Sequence, residues 1–282
     1  YIFFLFALDS IKPESIELVK LVIFIQILIS TVSVLLFYKL NQFFFTHKIS
    51  LISTVLFSFF PLNIYAATQV SSATLHVFLL LSFIYLFFLL YKKTNNFFVI
   101  TLLFSVISGL LILLRTEFLL IYIGSIFYII FFKKISLKKA FLLIIITTLI
   151  ISPYLIRNYL VFEKIIITKS AGYNLWRGNN PFTSVEGLES DKAFSHANIN
   201  EKIKNLPKNK LYNFYYDDLF LYESLNYIIE KPSIFLWNYA KKFLSFFFFN
   251  LNSNYPNYYH PLFIIPIVLL SIFSSFGILI AI

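Results

Sequence analysis

The sequence predicts an all-α protein: a polytopic transmembrane helical bundle with an extracytoplasmic loop of short helices between its last two membrane segments. Three observations carry that prediction. Hydrophobic residues make up 59% of the chain and charged ones only 13%. Several apolar runs reach the roughly 20 residues a helix needs to cross a bilayer at 1.5 Å per residue. Glycine occurs only 6 times in 282 residues, which suits continuous helices better than the turn-rich alternating strands of a barrel. Cysteine is absent, so disulfides, thiolate metal ligands and a cysteine nucleophile are excluded.

The elements follow in order. The chain opens inside a short apolar run, YIFFLFAL, and stops inside another, SIFSSFGILIAI, with no methionine anywhere; it is expected to be a piece of a longer protein. Apolar segments follow at about 18–38, 49–66, 74–91, 97–114, 117–132, 138–155 and 261–282. Between 156 and 233 the hydropathy collapses. The expected organisation is therefore a membrane region at 1–155, an extracytoplasmic loop region at 156–233, and an interfacial helix plus a last membrane helix at 234–282. The stretch SIFLWNYAKKFLSFFFFNL is long enough to span but has Lys241 and Lys242 at its middle. Lysine at the bilayer centre costs about 2.5–3.5 kcal/mol, so this helix is expected to lie in the interface, anchored by Trp237 and Tyr239, with a tilted span and snorkelling lysines as the competing reading.

Lysines set the orientation. Lys39, Lys48, Lys92, Lys93, Lys133, Lys134, Lys138 and Lys139 occupy alternate loops, which the positive-inside rule places in the cytoplasm. Residues 9–20 and 156–233 then fall on the outer face. Most of the net charge of +10 lies in those loops, so it is an orientation signal and gives no support to nucleic-acid binding.

Few residues could carry chemistry. Arg115 and Glu117, in GLLILLRTEFLL, stand where two apolar segments meet; they either sit in water in a tight hairpin or face something anionic. In ISPYLIRNYLVF, Pro153 can kink the helix, and Arg157 with Asn158 follow a turn later, where a guanidinium can hold a phosphate or any lipid headgroup. The stretch GYNLWRGNNP combines Tyr173 and Trp176 with the amides of Asn174, Asn179 and Asn180. Amides and aromatic faces suit a sugar, and they equally suit an interfacial turn. Asp217 and Asp218 are expected to form an acidic patch on a solvated helix, and Asp9, Glu14 and Glu17 to be surface charges. His47, His76, His196 and His260 are scattered, and ligand spacing supports neither zinc nor another divalent cation.

The order of these pieces resembles a family. GLLILLRTEFLL, then SPYLIRNYLVFEK, IIITKSA, GYNLWRGNNP and YIIEKPSIFLWNYAKKFLSFF, is similar to the GT-C-type membrane glycosyltransferases that use polyprenyl-phosphate sugars, relatives of aminoarabinose transferases and protein O-mannosyltransferases. Tyr154 stands where that family usually has Trp, Lys231-Pro232 stands for His-Pro, and Ala73 stands where a Glu is usual. The resemblance implies transfer of a sugar to a lipid, glycan or protein acceptor at the extracytoplasmic face. The absence of N-x-Ser/Thr sequons and the short loops fit a bacterial inner membrane, and no cofactor is evident, a divalent cation being possible but unsupported by ligand spacing. It implies phosphate binding at Arg115 and Arg157, with Asn158 beside them, and a sugar or acceptor pocket at Tyr173, Asn174, Trp176, Asn179 and Asn180. The family's catalytic carboxylate would lie upstream of Tyr1. A transporter or flippase for lipid-linked sugars is the alternative, expected to show polar or broken helices near the midplane.

Overall fold

The computed structural model describes residues 2–9, 15–92, 96–132, 135–183, 185, 199–247, 250, 253 and 259–281. Glu14, Lys93, Lys133, Lys134 and His196, named above, lie outside them. Every regular element among the described residues is a helix: α1 (Ile2–Asp9), α2 (Ser15–Asn41), α3 (His47–Ser58), α4 (Pro61–Ala67), α5 (Ala73–Tyr91), α6 (Phe97–Leu114), α7 (Phe118–Phe131), α8 (Leu137–Phe162), α9 (Ala171–Gly178), α10 (Ile199–Lys204), α11 (Tyr212–Glu230), α12 (Pro232–Phe247) and α13 (Pro261–Ala281). Five of them, α2, α5, α6, α8 and α13, are long and apolar enough to cross a bilayer. The chain is a helical membrane protein.

Three membrane segments differ from their expected form. The run at 49–66 is broken: α3 and α4 meet at a bend of 54°. The cause is local, because Pro61 cannot continue the helix that precedes it and forces Phe60 into extended backbone, φ −66° and ψ 115°. The run at 117–132 yields only 14 helical residues in α7. In contrast, α8 runs on through Pro153 to 26 residues. Proline there leaves the carbonyl four residues earlier without its helical donor, and the Ser152 hydroxyl supplies one to Leu149 O at 2.9 Å.

The chain divides into two compact units, residues 1–157 and 158–282. In the first, α6 presents Thr101, Ser105 and Gly109, all buried and four residues apart, to α8. Ser105 Oγ donates to Leu143 O at 3.3 Å, and Thr147 Oγ1 reaches Ser105 O at 3.4 Å. A Cβ added at Gly109 would stand 2.7 Å from Ile150 Cγ2. Small residues in this register let two membrane helices approach closely, and because both sequence positions rise together along the seam, α6 and α8 run parallel. Elsewhere in this unit, the buried Gln26 of α2 donates to Gln69 O at 2.6 Å and Ala67 O at 3.4 Å, the carbonyls released where α4 ends.

The second unit centres on α9 against α11. Trp176, Ile199 and Phe220 form its core, with Tyr173, Ile203, Tyr216 and Tyr227 packed around them. Gly172 is the contact point: a Cβ there would lie 2.0 Å from Asp217 O. At the end of α8, Glu163 takes a φ of 57° and its carboxylate is held by Lys210 at 2.5 Å.

Candidate functional site

In the first unit the polar groups gather where α5 begins and α6 ends. Arg115 leaves the α-helical conformation, with φ −143° and ψ 107°. Its carbonyl accepts the Phe118 N–H at 3.0 Å, closing a tight turn into α7. The side chains of Arg115 and Glu117 are both exposed. Neither forms an ion pair or side-chain hydrogen bond among the described residues. His76, one turn into α5, sets its ring edge on Phe118 with centroids 6.0 Å apart. Its Nδ1 is shielded from solvent and has no hydrogen-bond partner among the described residues. Arg115 and Glu117 both lie close enough to act on it electrostatically.

Arg157 is exposed on α8. Because α6 and α8 are parallel and cross at Gly109 and Ile150, Arg115 and Arg157 lie beyond the crossing in the same direction. At 1.5 Å per residue they are about 9 and 10.5 Å past it along their own helices.

In the second unit the stretch expected as a pocket or a turn is the helix α9 and its exit. Its entry is capped from another helix: the Tyr173 N–H donates to Asp217 Oδ1 at 2.8 Å. A carboxylate at the positive end of a helix is favourable on both hydrogen-bond and dipole grounds. Lys169 adds a counter-ion 3.5 Å from Asp217 Oδ2 and also grips Asp218, whose hydrogen bond holds the lysine pKa above its usual value. The expectation of a solvated acidic patch is thus corrected at Asp217, which is 2% exposed. Burial was recoverable only from the packing of α9 on α11, because a glycine in α9 lets the two backbones meet.

The predicted sugar-pocket residues have these places. Trp176 is in the core, and Tyr173 packs edge-on against Phe220 at 5.2 Å. Asn179 donates to Leu175 O at 2.9 Å, and the fully buried Asn180 donates to Trp176 O at 3.1 Å and accepts the Phe182 N–H at 2.9 Å. Both amides are turned onto their own backbone. Asn174 is exposed. Asn158 donates to Ile166 O at 2.7 Å and so ties the segment after α8 back to that helix.

The exit of α9 is held by α12. Lys242 Nζ donates to Gly178 O, and Asn238 Nδ2 to Thr183 O at 3.2 Å. Burial lowers the Lys242 pKa from the ordinary lysine value. A helix C-terminus welcomes a cation, and this one is brought in from 64 residues away. The sequence signal for it was the lysine pair inside an apolar run. Lys241 instead lies 5.5 Å from the Trp237 ring centroid. Among the described residues no group of three His, Asp or Glu side chains could hold a metal ion. Comparison with family models, with curated proteins and with solved structures finds no match to this chain.

Proposed function

We propose that the chain is part of a GT-C-type membrane glycosyltransferase, moving a sugar from a polyprenyl-phosphate donor to a lipid, glycan or protein acceptor at the extracytoplasmic face. The order of motifs from GLLILLR to the lysine-bearing helix carries this reading. The structural observation that supports it is that Arg115 and Arg157 lie on the same side of the α6–α8 crossing, Arg115 having no side-chain ion pair or hydrogen bond among the described residues. By the positive-inside rule this is the outer end of both helices.

In this reaction the anomeric carbon exchanges its bond to the donor phosphate for one to the acceptor oxygen, and the acceptor proton passes to a carboxylate base. The leaving phosphate gains charge as its bond breaks, so cations fixed beside it favour the transition state over the ground state. Arg115 and Arg157 take that role. Asn158 positions the segment that follows. Within the second unit, the resemblance assigns sugar or acceptor binding to the surface that Tyr173, Trp176, Asn179 and Asn180 shape and on which Asn174 is exposed.

The test is transfer of a labelled sugar from a polyprenyl-phosphate donor by the full-length protein in membranes. Arg157→Ala should abolish transfer without loss of the folded protein; near-normal turnover would remove Arg157 from the phosphate. A second reading, movement of lipid-linked sugars across the bilayer, is favoured by one observation, the break between α3 and α4 with Ser30, Ser33, Asn63 and Thr74 around a cavity of about 30 Å³ beside it. Flipping without transfer in the same membranes would decide for it.

A further inference from the structure

We infer that His76, Arg115 and Glu117 form one binding site, for a phosphate ester that carries a neighbouring hydroxyl. This rests on the phosphate reading of Arg115 and names the groups that work with it. Three helices supply the site: α5 gives His76, the end of α6 gives Arg115, and the start of α7 gives Glu117. Phe118 ties them together, since its ring meets the His76 edge and its backbone N–H meets the Arg115 carbonyl.

Each group has a distinct chemical use. Arg115 offers a planar fork of donors suited to phosphate oxygens. His76 Nδ1 is shielded from solvent and without a partner among the described residues, and an unsatisfied polar atom is costly, so a turn of the ring that brings it to a ligand is favoured. In the Nδ1–H tautomer it donates to a second phosphate oxygen. Glu117 decides between ligands. Its carboxylate offsets part of the guanidinium's attraction for a bare anion, whereas an ester with a hydroxyl can give Glu117 a hydrogen bond while Arg115 takes the phosphate. The set therefore discriminates by combination, rejecting inorganic phosphate in favour of a hydroxylated phosphate ester.

The experiment uses the full chain in phosphatidylcholine nanodiscs with ¹⁵N-labelled histidine, the His76 signals being assigned by their loss in His76→Phe. Two soluble probes, inorganic phosphate and α-glucose 1-phosphate, are titrated; a third arm replaces part of the lipid by phosphatidylglycerol, a membrane-borne phosphate ester with hydroxyls. The sugar phosphate or the phosphatidylglycerol should shift the His76 Nδ1 resonance, the first pointing to a soluble source and the second to a lipid one, and inorganic phosphate should do so about tenfold less tightly. Arg115→Ala should weaken the response about tenfold, and His76→Asn, whose amide stands near the Nδ1 position, should retain ester affinity. Glu117→Gln should tighten inorganic phosphate and narrow the preference, which a merely structural role for Glu117 would not do. If no probe moves the His76 signal in the unaltered chain, or if Glu117→Gln leaves the preference unchanged, the inference falls. Failure of sugar transfer with this binding intact would instead overturn the glycosyltransferase reading alone.

Discussion

Asp217 of α11 receives the backbone N–H of Tyr173, 44 residues before it, at 2.8 Å and so caps the start of α9. One buried carboxylate thereby orders the start of α9 and fixes how α9 lies on α11. Removing it with Asp217→Ala should cost about 1–3 kcal/mol, because the capping bond and the charge at the helix end go together. Asp217→Asn keeps an acceptor for Tyr173 and leaves Lys169 its Asp218 partner, so it should cost under about 1 kcal/mol. Thermal unfolding in detergent, followed by circular dichroism, reads both.

Two glycines should answer oppositely to the same change. Gly172→Ala puts a methyl 2.0 Å from a backbone oxygen of α11, which has no rotamer to escape into, and should destabilise by about 3 kcal/mol or more. Gly124→Ala, with nothing within 4 Å, should stay within about 0.5 kcal/mol of the parent. Equal melting temperatures for the two variants would contradict the α9–α11 packing.

Lys242 gives a pH signature. Burial depresses its pKa, so below the ordinary lysine value of 10.5 the folded chain binds fewer protons at this site than the unfolded one. The sign is therefore a gain of stability with rising pH, through the window between the depressed value and 10.5. Melting curves of the parent and Lys242→Met across alkaline pH should show the parent gaining relative to the variant. A constant gap would mean that Lys242 titrates alike in both states.

Because the chain has no cysteine, single-cysteine labelling can map its orientation. An impermeant thiol reagent applied to intact cells should label a cysteine at Asn174, which is exposed, and spare one at Lys134. Asn180 would be a poor reporter, since it is wholly buried and would resist the reagent on either side. Labelling at Lys134 and protection at Asn174 would reverse the topology.

Length and hydropathy made most of the membrane helices legible, because a span needs only a long apolar run. The breaks were less so. Pro61 announced a helix start, but nothing local said that α3 and α4 would bend by 54°, nor that the carbonyls released where α4 ends would be satisfied by Gln26, far away in sequence. Pro153 misled in the other direction: Ser152 repairs the ladder, and α8 continues past Arg157. In GYNLWRGNNP the residue types were plain and their partners were not. Asparagine amides read as open to ligand, yet Asn179 and Asn180 bond to the backbone of the same stretch, and the tryptophan expected at an interface fills a core. Arg115 and Glu117 were visible as charges, whereas their neighbour His76 lies 39 residues from Arg115 and needed the α5–α7 contact to be seen.

The amide of Gln26 also bears on the order in which the protein is made. Its two acceptors, Ala67 O and Gln69 O, leave the ribosome more than 40 residues after it. The end of α4 entering hydrocarbon alone would carry these two carbonyls bare, yet the donor for them is already waiting on a helix threaded earlier. The end of α4 can thus be met on arrival by a helix that preceded it, and never has to survive in lipid unaided.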